Sequence, residues 1–148
     1  MKKDRLLISH DLAFSDVINA CSQPRATEKS TWISDEMKSA YFHLNRLNIA
    51  HSVEAWIGDN LVGGLYGVSI GRVFFGESMF HRRTNASKIA FVELVKKLES
   101  WDFQLIDCQV RTEHLISLGA EEIPRNQFIK LLNKNCNKPS DSCAWQNQ

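Results

Sequence analysis

Residues 52–79 read SVEAWIGDNLVGGLYGVSIGRVFFGESM, and this stretch decides the fold. It contains three runs rich in β-branched and aromatic residues, which are the residue types that favour strands. The runs are separated by Gly58-Asp59-Asn60 and Gly71-Arg72, which are typical of tight hairpin turns. The stretch therefore predicts an antiparallel meander with strands at residues 52–57, 61–70 and 73–79.

Three glycines interrupt the second predicted strand, at Gly63, Gly64 and Gly67. A glycine inside a strand has no side chain to pack against its neighbours. It therefore indicates either a β-bulge or a place where a ligand or another part of the backbone approaches closely. The sequence leaves both interpretations open.

Helices are predicted on both sides of the meander, where they can cover the sheet. Apolar residues recur every three or four positions at residues 35–47 and 86–101, which is the period of an amphipathic helix. Ser34 is placed to cap the first of these helices, and Thr84 or Asn85 the second. The other predicted elements are a strand at residues 6–9, a helix at 12–21 capped by Asp11, a buried central strand at 103–110, and short helices at 113–118 and 125–133.

This order of elements predicts one mixed α+β domain over residues 1–134, with a mainly antiparallel sheet flanked by helices. The order resembles the GNAT-like fold of the acetyltransferase superfamily, in which a widened sheet holds an acyl donor. The remaining segment, residues 135–148, is polar and contains one proline and two serines. We expect this segment to be a disordered tail.

The overall composition excludes several classes of protein. A chain of 148 residues with a formal net charge of +1 lacks the basic excess of an extended nucleic-acid surface, so any contact with RNA must be local. No apolar run is long enough to span a bilayer. The four cysteines show no metal-ligand spacing. We therefore expect a cytoplasmic protein with free thiols and no metal site.

Polar side chains interrupt two of the predicted strands. Asp107 and Gln109 alternate along the strand at 103–110, so both leave the same face and Cys108 leaves the other. A carboxylate in an apolar strand is costly unless it is paired, so these residues indicate either a satisfied structural network or a functional site. Glu77, near the end of the third strand, either faces solvent or neighbours Asp107 if the two strands pair.

Seven short blocks, in matching order and spacing, make residues 7–132 resemble the leucyl/phenylalanyl-tRNA-protein transferase family. The resemblance covers the catalytic, carboxy-terminal domain of that family. We expect the family's amino-terminal tRNA-binding domain to be absent, and residues 138–145 do not resemble its carboxy-terminal extension. The blocks are Thr31-Trp32-Ile33, His51-Ser52, Leu61-Val62-Gly63-Gly64-Leu65-Tyr66-Gly67-Val68, Gly76-Glu77-Ser78-Met79-Phe80, Asn85-Ala86-Ser87-Lys88, Leu105-Ile106-Asp107-Cys108-Gln109-Val110 and Ser117-Leu118-Gly119-Ala120.

The resemblance implies an activity and a catalytic centre that needs no cofactor. The family transfers Leu, Phe or, less readily, Met from aminoacyl-tRNA to the α-amine of a protein that begins with Arg or Lys, which marks that protein for degradation. Asp107 and Gln109 match the family's proposed catalytic pair. Gln109 would orient the amine through its carbonyl oxygen, and Asp107 would hold and polarise the amide. Glu77 would bind the amino terminus of the acceptor and help to receive the proton.

The resemblance also implies residues that bind the aminoacyl end of the tRNA. Trp32 would stack on a base. Asn85 and Ser87 would direct backbone N–H groups at an anionic group of the tRNA, unless they serve only as a helix cap. Tyr41 is a weaker candidate, since its helical spacing explains it as a core residue. The Leu or Phe side chain would enter an apolar pocket whose members are equally plausible as core residues: Leu65, Phe74, Met79, Leu94 and Ile106.

Two other functions remain open. One is a non-catalytic module that binds protein amino termini or aminoacyl ends without transfer. The other is an acyl-coenzyme A acetyltransferase, which is disfavoured because residues 82–87, RRTNAS, lack the glycine-rich pyrophosphate loop of such enzymes. For the transferase itself, a partner protein could supply the missing hold on tRNA.

Overall fold

The computed structural model describes residues 5–22, 34–108, 121–139 and 144–145. Its strands are β1 Leu6–His10, β2 Ala50–Ile57, β3 Asn60–Ile70, β4 Val73–His81 and β5 Leu105–Asp107, and its helices are α1 Phe14–Cys21, α2 Asp35–Arg46, α3 Ala86–Ser100 and α4 Arg125–Asn135. The strands form one sheet in sequence order, antiparallel from β1 to β4 and parallel between β4 and β5. No helix among these residues is long and apolar enough to cross a bilayer.

The meander and the two long helices predicted from the sequence are confirmed. β2, β3 and β4 pair as consecutive antiparallel strands joined by the two predicted turns. α2 begins directly after Ser34, whose Oγ accepts the backbone N–H of Met37 at 3.2 Å. These elements depend on local pattern and local capping, which a sequence displays directly.

The predicted cap of α1 is wrong because a long-range contact decides it. The N-cap of α1 is Ala13 rather than Asp11, which instead accepts the backbone N–H of Ser52 at 2.9 Å. β5 falls within the strand predicted at residues 103–110, and its described residues are half-buried and pair with β4. Residues 109–110 of that predicted strand, and the predicted helix at 113–118, lie outside the described residues.

The sheet separates two apolar clusters. On one face, α3 packs over β2 and β3, and Leu65, Phe74 and Leu94 are buried in what we call the α3-side cluster. On the other face, α1 and α2 cover the sheet, and Val17 and Tyr66 are buried in the α2-side cluster. Successive side chains of a strand point to opposite faces, which is why neighbouring Leu65 and Tyr66 belong to different clusters.

A β-bulge in β4 confirms one interpretation of the strand glycines. Tyr66 of β3 lies opposite Ser78, whereas the next residue, Gly67, lies opposite Gly76. Glu77 is therefore the extra residue of the bulge. A Cβ atom at Gly67 would lie 2.3 Å from the carbonyl oxygen of Phe75, so the β3 position opposite the bulge requires glycine.

Gly63 confirms the other interpretation, the close approach of another segment. A Cβ atom at Gly63 would lie 2.6 Å from the Cβ of Ala86 and 3.1 Å from the backbone nitrogen of Ser87. The missing side chain thus lets the first turn of α3 rest directly on β3. The position of the α3 amino terminus over the sheet depends on this contact.

Replacing Gly63 with alanine is expected to lower the free energy of unfolding by about 1 to 3 kcal/mol, because the added methyl group overpacks the α3–β3 contact. The measurement is urea denaturation followed by circular dichroism. Gly76→Ala is the matched control, since its Cβ would meet only the carbonyl oxygen of Asp107, at 3.6 Å. Equal losses in the two variants would show that the close approach at Gly63 is not what matters.

The prediction of a disordered tail does not hold for Asn135, Ala144 and Trp145. Asn135 is the last residue of α4, it is buried, and its carbonyl oxygen accepts the backbone N–H of Arg72 at 3.0 Å. Ala144 and Trp145 are buried in the α3-side cluster. The polar residues around Trp145 dominate the composition of the segment, but the indole ring of Trp145 itself has a large apolar area that is stabilising to bury.

Candidate functional site

Asp107 and Glu77 lie on the same face of the sheet, where β4 pairs with β5. Asp107 is in register with Phe75, while the preceding pair, Phe74 and Ile106, belongs to the α3-side cluster. Because side chains alternate along strands, Asp107 points to the α2 side. The sequence predicted that Glu77 neighbours Asp107 if their two strands pair. In the structure these strands, β4 and β5, do pair.

Glu77 is held from the α2 side by Tyr41. The hydroxyl of Tyr41 donates to Oε1 of Glu77 at 2.5 Å, across 36 positions of sequence. Burial raises the pKa of Tyr41 above its ordinary value, and the hydrogen bond to Glu77 and its negative charge raise it further. Helical spacing explained Tyr41 as a core residue, and only the folded structure shows its second role as a donor to the bulged glutamate.

Replacing Glu77 with glutamine is expected to move the ionisation of Tyr41 to lower pH, because the negative charge that opposes tyrosinate formation is lost. Burial remains, so ionisation still occurs above the ordinary value of about 10. The chain has two tyrosines, and a Tyr66→Phe background leaves the signal of Tyr41 alone in an ultraviolet titration.

Glu93→Gln is the matched control for this titration, because Glu93 lies on the exposed face of α3 beside Lys96. An ionisation pH that stays the same in the Glu77→Gln variant and the wild type would contradict the Tyr41–Glu77 contact.

The predicted apolar pocket residues are brought together, on the face opposite Glu77. All of them belong to the α3-side cluster or pack against it. Three are almost completely buried and two are half-buried at the β4–β5 side. The structure therefore places the five as neighbours in the core: Leu65, Phe74, Leu94, Met79 and Ile106.

The first turn of α3 carries the predicted anion-binding residues. Asn85 occupies the N-cap position in the left-handed conformation, with φ of 67°, and makes no side-chain capping bond. Of the two predicted cap residues, Thr84 and Asn85, the structure has Asn85 at the N-cap position, where its side chain makes no capping hydrogen bond. Ser87 is buried against β3. Nearby Arg82 donates to the carbonyl oxygen of Leu61 at 3.0 Å.

Gln109 and Trp32 lie outside the described residues. Of the predicted catalytic pair, the structure therefore describes Asp107 alone. It does not describe the predicted base-stacking residue, Trp32. Their roles stay predictions.

A buried carboxylate that the sequence did not single out, Glu54, is satisfied within the fold. It accepts hydrogen bonds from the Ser9 hydroxyl at 2.6 Å, from the backbone N–H of Leu12 at 3.2 Å, and from the Ser52 hydroxyl. These bonds tie β1 and the start of α1 to β2. With its bonds made inside the core, Glu54 has a structural role rather than a place in the site.

A known protein family matches most of the chain, including the residues of the candidate site. The model of the family described as leucyl/phenylalanyl-tRNA protein transferase matches residues 1–133. The chain belongs to this family. The matched range contains Glu77, Asp107 and every other site residue named above.

Two relatives carry the family name leucyl/phenylalanyl-tRNA–protein transferase. The one from Nitrosomonas europaea is 53% identical over 145 residues, which are 98% of this chain and 61% of the relative. The one from Saccharophagus degradans is 50% identical over 149 residues, covering 99% of this chain and 61% of the relative. The chain thus spans about three-fifths of the length of these relatives.

Solved structures support the fold alone. An aminoglycoside acetyltransferase from a soil metagenomic sample superposes with a TM-score of 0.61 at 16% identity, covering 84% of this chain and 95% of that one. A ribosomal-protein-alanine N-acetyltransferase from Brucella melitensis biovar Abortus superposes with a TM-score of 0.54 at 15% identity, covering 80% and 93%. The predicted GNAT-like α+β fold is confirmed, and this transferase family member shares it with acetyltransferases.

Proposed function

We propose that this domain transfers Leu or Phe, and less readily Met, from aminoacyl-tRNA to the α-amine of proteins that begin with Arg or Lys. The observation that carries the proposal is the position of Glu77 and Asp107 on one face of the β4–β5 pair, in a chain that matches the transferase family over residues 1–133. The products would carry a new amino-terminal residue that acts as a degradation signal. The reaction would take place in the cytoplasm.

The reaction is aminolysis of an ester, so positioning matters more than a strong base. The amine nitrogen forms a bond to the aminoacyl carbonyl carbon, and the ester C–O bond breaks. The 3′-terminal sugar oxygen of the tRNA leaves with the electron pair and takes up a proton. An α-amine of pKa about 8 is already roughly one-tenth neutral at pH 7, so the site needs to orient it rather than activate it strongly.

Each polar residue of the proposed centre has a distinct role. The carboxylate of Glu77, held by Tyr41, binds the acceptor amine and receives a proton from it. Gln109 accepts an N–H of the amine through its carbonyl oxygen, because an amide is too weak a base to remove the proton at neutral pH. Asp107 holds the Gln109 amide in that orientation.

The donor would be recognised by its side chain, its base and its anionic end. The flexible side chain of Met79, beside the branched and aromatic side chains of Leu65 and Phe74, could accommodate Leu, Phe and Met. Leu94 and Ile106 would complete this apolar pocket. Because the pocket residues lie on the opposite face of the sheet from Glu77, the donor would have to reach both faces where the β4–β5 pairing ends, beyond Phe75 and Asp107. Trp32, Asn85 and Ser87 would contact the tRNA end.

A transfer assay with matched acceptors tests this function. The chain is incubated at high concentration with labelled Phe-tRNA and a protein that begins with Arg. The same protein with an acetylated amino terminus is the control, because it lacks the nucleophile. We expect label only in the free-amine acceptor. No transfer to it at any chain concentration, with or without added tRNA-binding partner domains, would rule out the proposal.

A non-catalytic module that binds protein amino termini is the second candidate, because the Glu77 carboxylate held by Tyr41 could bind an amine without any transfer step. It predicts binding of an Arg-beginning peptide with no transfer. An acetyltransferase is the third candidate, and residues 82–87 remain without glycine at the start of α3. Tight binding of acetyl-coenzyme A would contradict the transferase proposal.

A further inference from the structure

A second tyrosine, Tyr66, lies beside Tyr41, and no described residue forms a hydrogen bond with its hydroxyl. Its side chain is fully buried and packs edge-on against the Tyr41 ring, with centroids 5.1 Å apart and planes at 73°. The hydroxyl of Tyr66 has no hydrogen-bond partner among the described residues. A buried hydroxyl without a partner is destabilising, and phenylalanine would fill the same space without that cost. Apolar packing against the described residues therefore does not explain a tyrosine here.

The sheet places Tyr66 next to the proposed transfer centre. Tyr66 is opposite Ser78, the residue that follows the bulged Glu77, and it shares the α2 side with Tyr41. Burial raises the pKa of Tyr66, and the neighbouring Tyr41, Cys21 and Glu77 raise it further. The hydroxyl consequently keeps its proton and is available as a hydrogen-bond donor.

Tyr41 is the acceptor that suits this donor. Its hydroxyl gives its only proton to Glu77, and its oxygen retains lone pairs that can accept a bond. We propose that Tyr66 is a positioning residue of the transfer centre, whose hydroxyl donates to Tyr41 when an acceptor amine is bound at Glu77. The two hydroxyls are not bonded to each other in this structure, so the bond would form on acceptor binding.

The proposed chain would run from Tyr66 through Tyr41 to Glu77. Hydrogen bonds in series polarise one another, so the donation from Tyr66 strengthens the hold of Tyr41 on the Glu77 carboxylate. Tyr66 thereby affects the acceptor and not the aminoacyl-tRNA. This inference rests on the acceptor-binding role proposed above for Glu77.

The test measures binding of a fluorescent peptide that begins with Arg, with its acetylated form as the blank. Tyr66→Phe is expected to weaken binding about three- to tenfold, as the loss of one hydrogen bond would. Tyr41→Phe should weaken it at least as much. The double variant should bind no worse than Tyr41→Phe alone, because Tyr66 acts only through Tyr41. The melting temperature of Tyr66→Phe should not fall below that of the wild type.

A packing control separates this role from a structural one. Phe14 contacts the Tyr66 ring, with centroids 6.0 Å apart at 79°, and Phe14→Leu should lower the melting temperature without changing peptide affinity. If Phe14→Leu weakens binding as much as Tyr66→Phe does, or if the effects of the two tyrosine substitutions add, the inference is wrong.

Glu77→Gln distinguishes the failure of this inference from the failure of the proposed function. Weak binding in Glu77→Gln together with wild-type binding in Tyr66→Phe overturns the inference and leaves the acceptor site standing. Wild-type binding in Glu77→Gln, or no peptide binding by the wild-type chain, overturns the acceptor site and the inference with it.

Discussion

Replacing Trp145 with alanine is expected to lower the free energy of unfolding by about 3 to 5 kcal/mol, the usual loss when a buried tryptophan is removed. The indole ring is buried in the α3-side cluster and stacks on His51 at 4.1 Å with the planes only 3° apart. It also contacts Trp101 and Phe74. The measurement is urea denaturation followed by circular dichroism at neutral pH.

An exposed residue provides the control for this prediction. Leu12 is 68% exposed, so Leu12→Ala should change the free energy of unfolding by less than about 0.5 kcal/mol. Trp145→Phe should lose less stability than Trp145→Ala, because a ring still faces His51. If Trp145→Ala is as stable as Leu12→Ala, the carboxy-terminal segment does not pack in the core.

Replacing Glu77 with glutamine is expected to lower kcat/KM for the acceptor protein about 100-fold, the lower range for loss of a proton-transfer group. Most acceptor amines are protonated at neutral pH, and the carboxylate can both attract the ammonium form and take its proton. Glutamine can do neither, although it fills the same space. The KM for Phe-tRNA should stay unchanged, since Glu77 is proposed to contact the acceptor alone.

Steady-state transfer with varied acceptor and fixed Phe-tRNA measures this effect. Glu93→Gln is the control, because Glu93 lies at the exposed face of α3 in a salt bridge with Lys96 at 3.4 Å. It should transfer at the wild-type rate. The proposed role would be contradicted if Glu77→Gln raised the KM for Phe-tRNA and left kcat/KM for the acceptor unchanged. That result would show that Glu77 contacts the aminoacyl-tRNA instead of the acceptor.

The sequence predicts the elements whose signals are local. The strands of residues 52–79 and the helices after Ser34 and Asn85 follow from alternation, helical period and turn residues, and each is present in the structure. The glycine at position 67 also pointed to the bulge that carries Glu77. In all of these cases, the deciding interactions lie within a few residues of one another.

The features that the sequence did not predict depend on contacts between distant positions. Aspartate is a common helix-capping residue. The carboxylate of Asp11 instead accepts a hydrogen bond from the backbone N–H of Ser52 and lies 2.6 Å from Nδ1 of His51. Trp145 is surrounded by polar residues in sequence and by aromatic rings in space.

The candidate site also combines a feature that is visible in the sequence with contacts that join distant positions. Alternation showed Asp107 as a polar residue within an apolar strand, and the family resemblance made it a site candidate; the structure places it beside β4, opposite Phe75. The Tyr41–Glu77 bond joins a helix to a bulge 36 positions away, so no spacing rule could reveal it. The absence of a hydrogen-bond partner for the Tyr66 hydroxyl among the described residues is evident only from the folded structure.

Transfer of labelled phenylalanine from Phe-tRNA to a protein that begins with Arg is the most direct test of the proposed centre. The wild-type chain is compared with the Asp107→Ala and Gln109→Ala variants. We expect transfer by the wild type and a loss of about 100-fold or more in both variants, because each removes the orientation of the amine. Unchanged rates in both variants would contradict the assignment of Asp107 and Gln109 to the transfer centre.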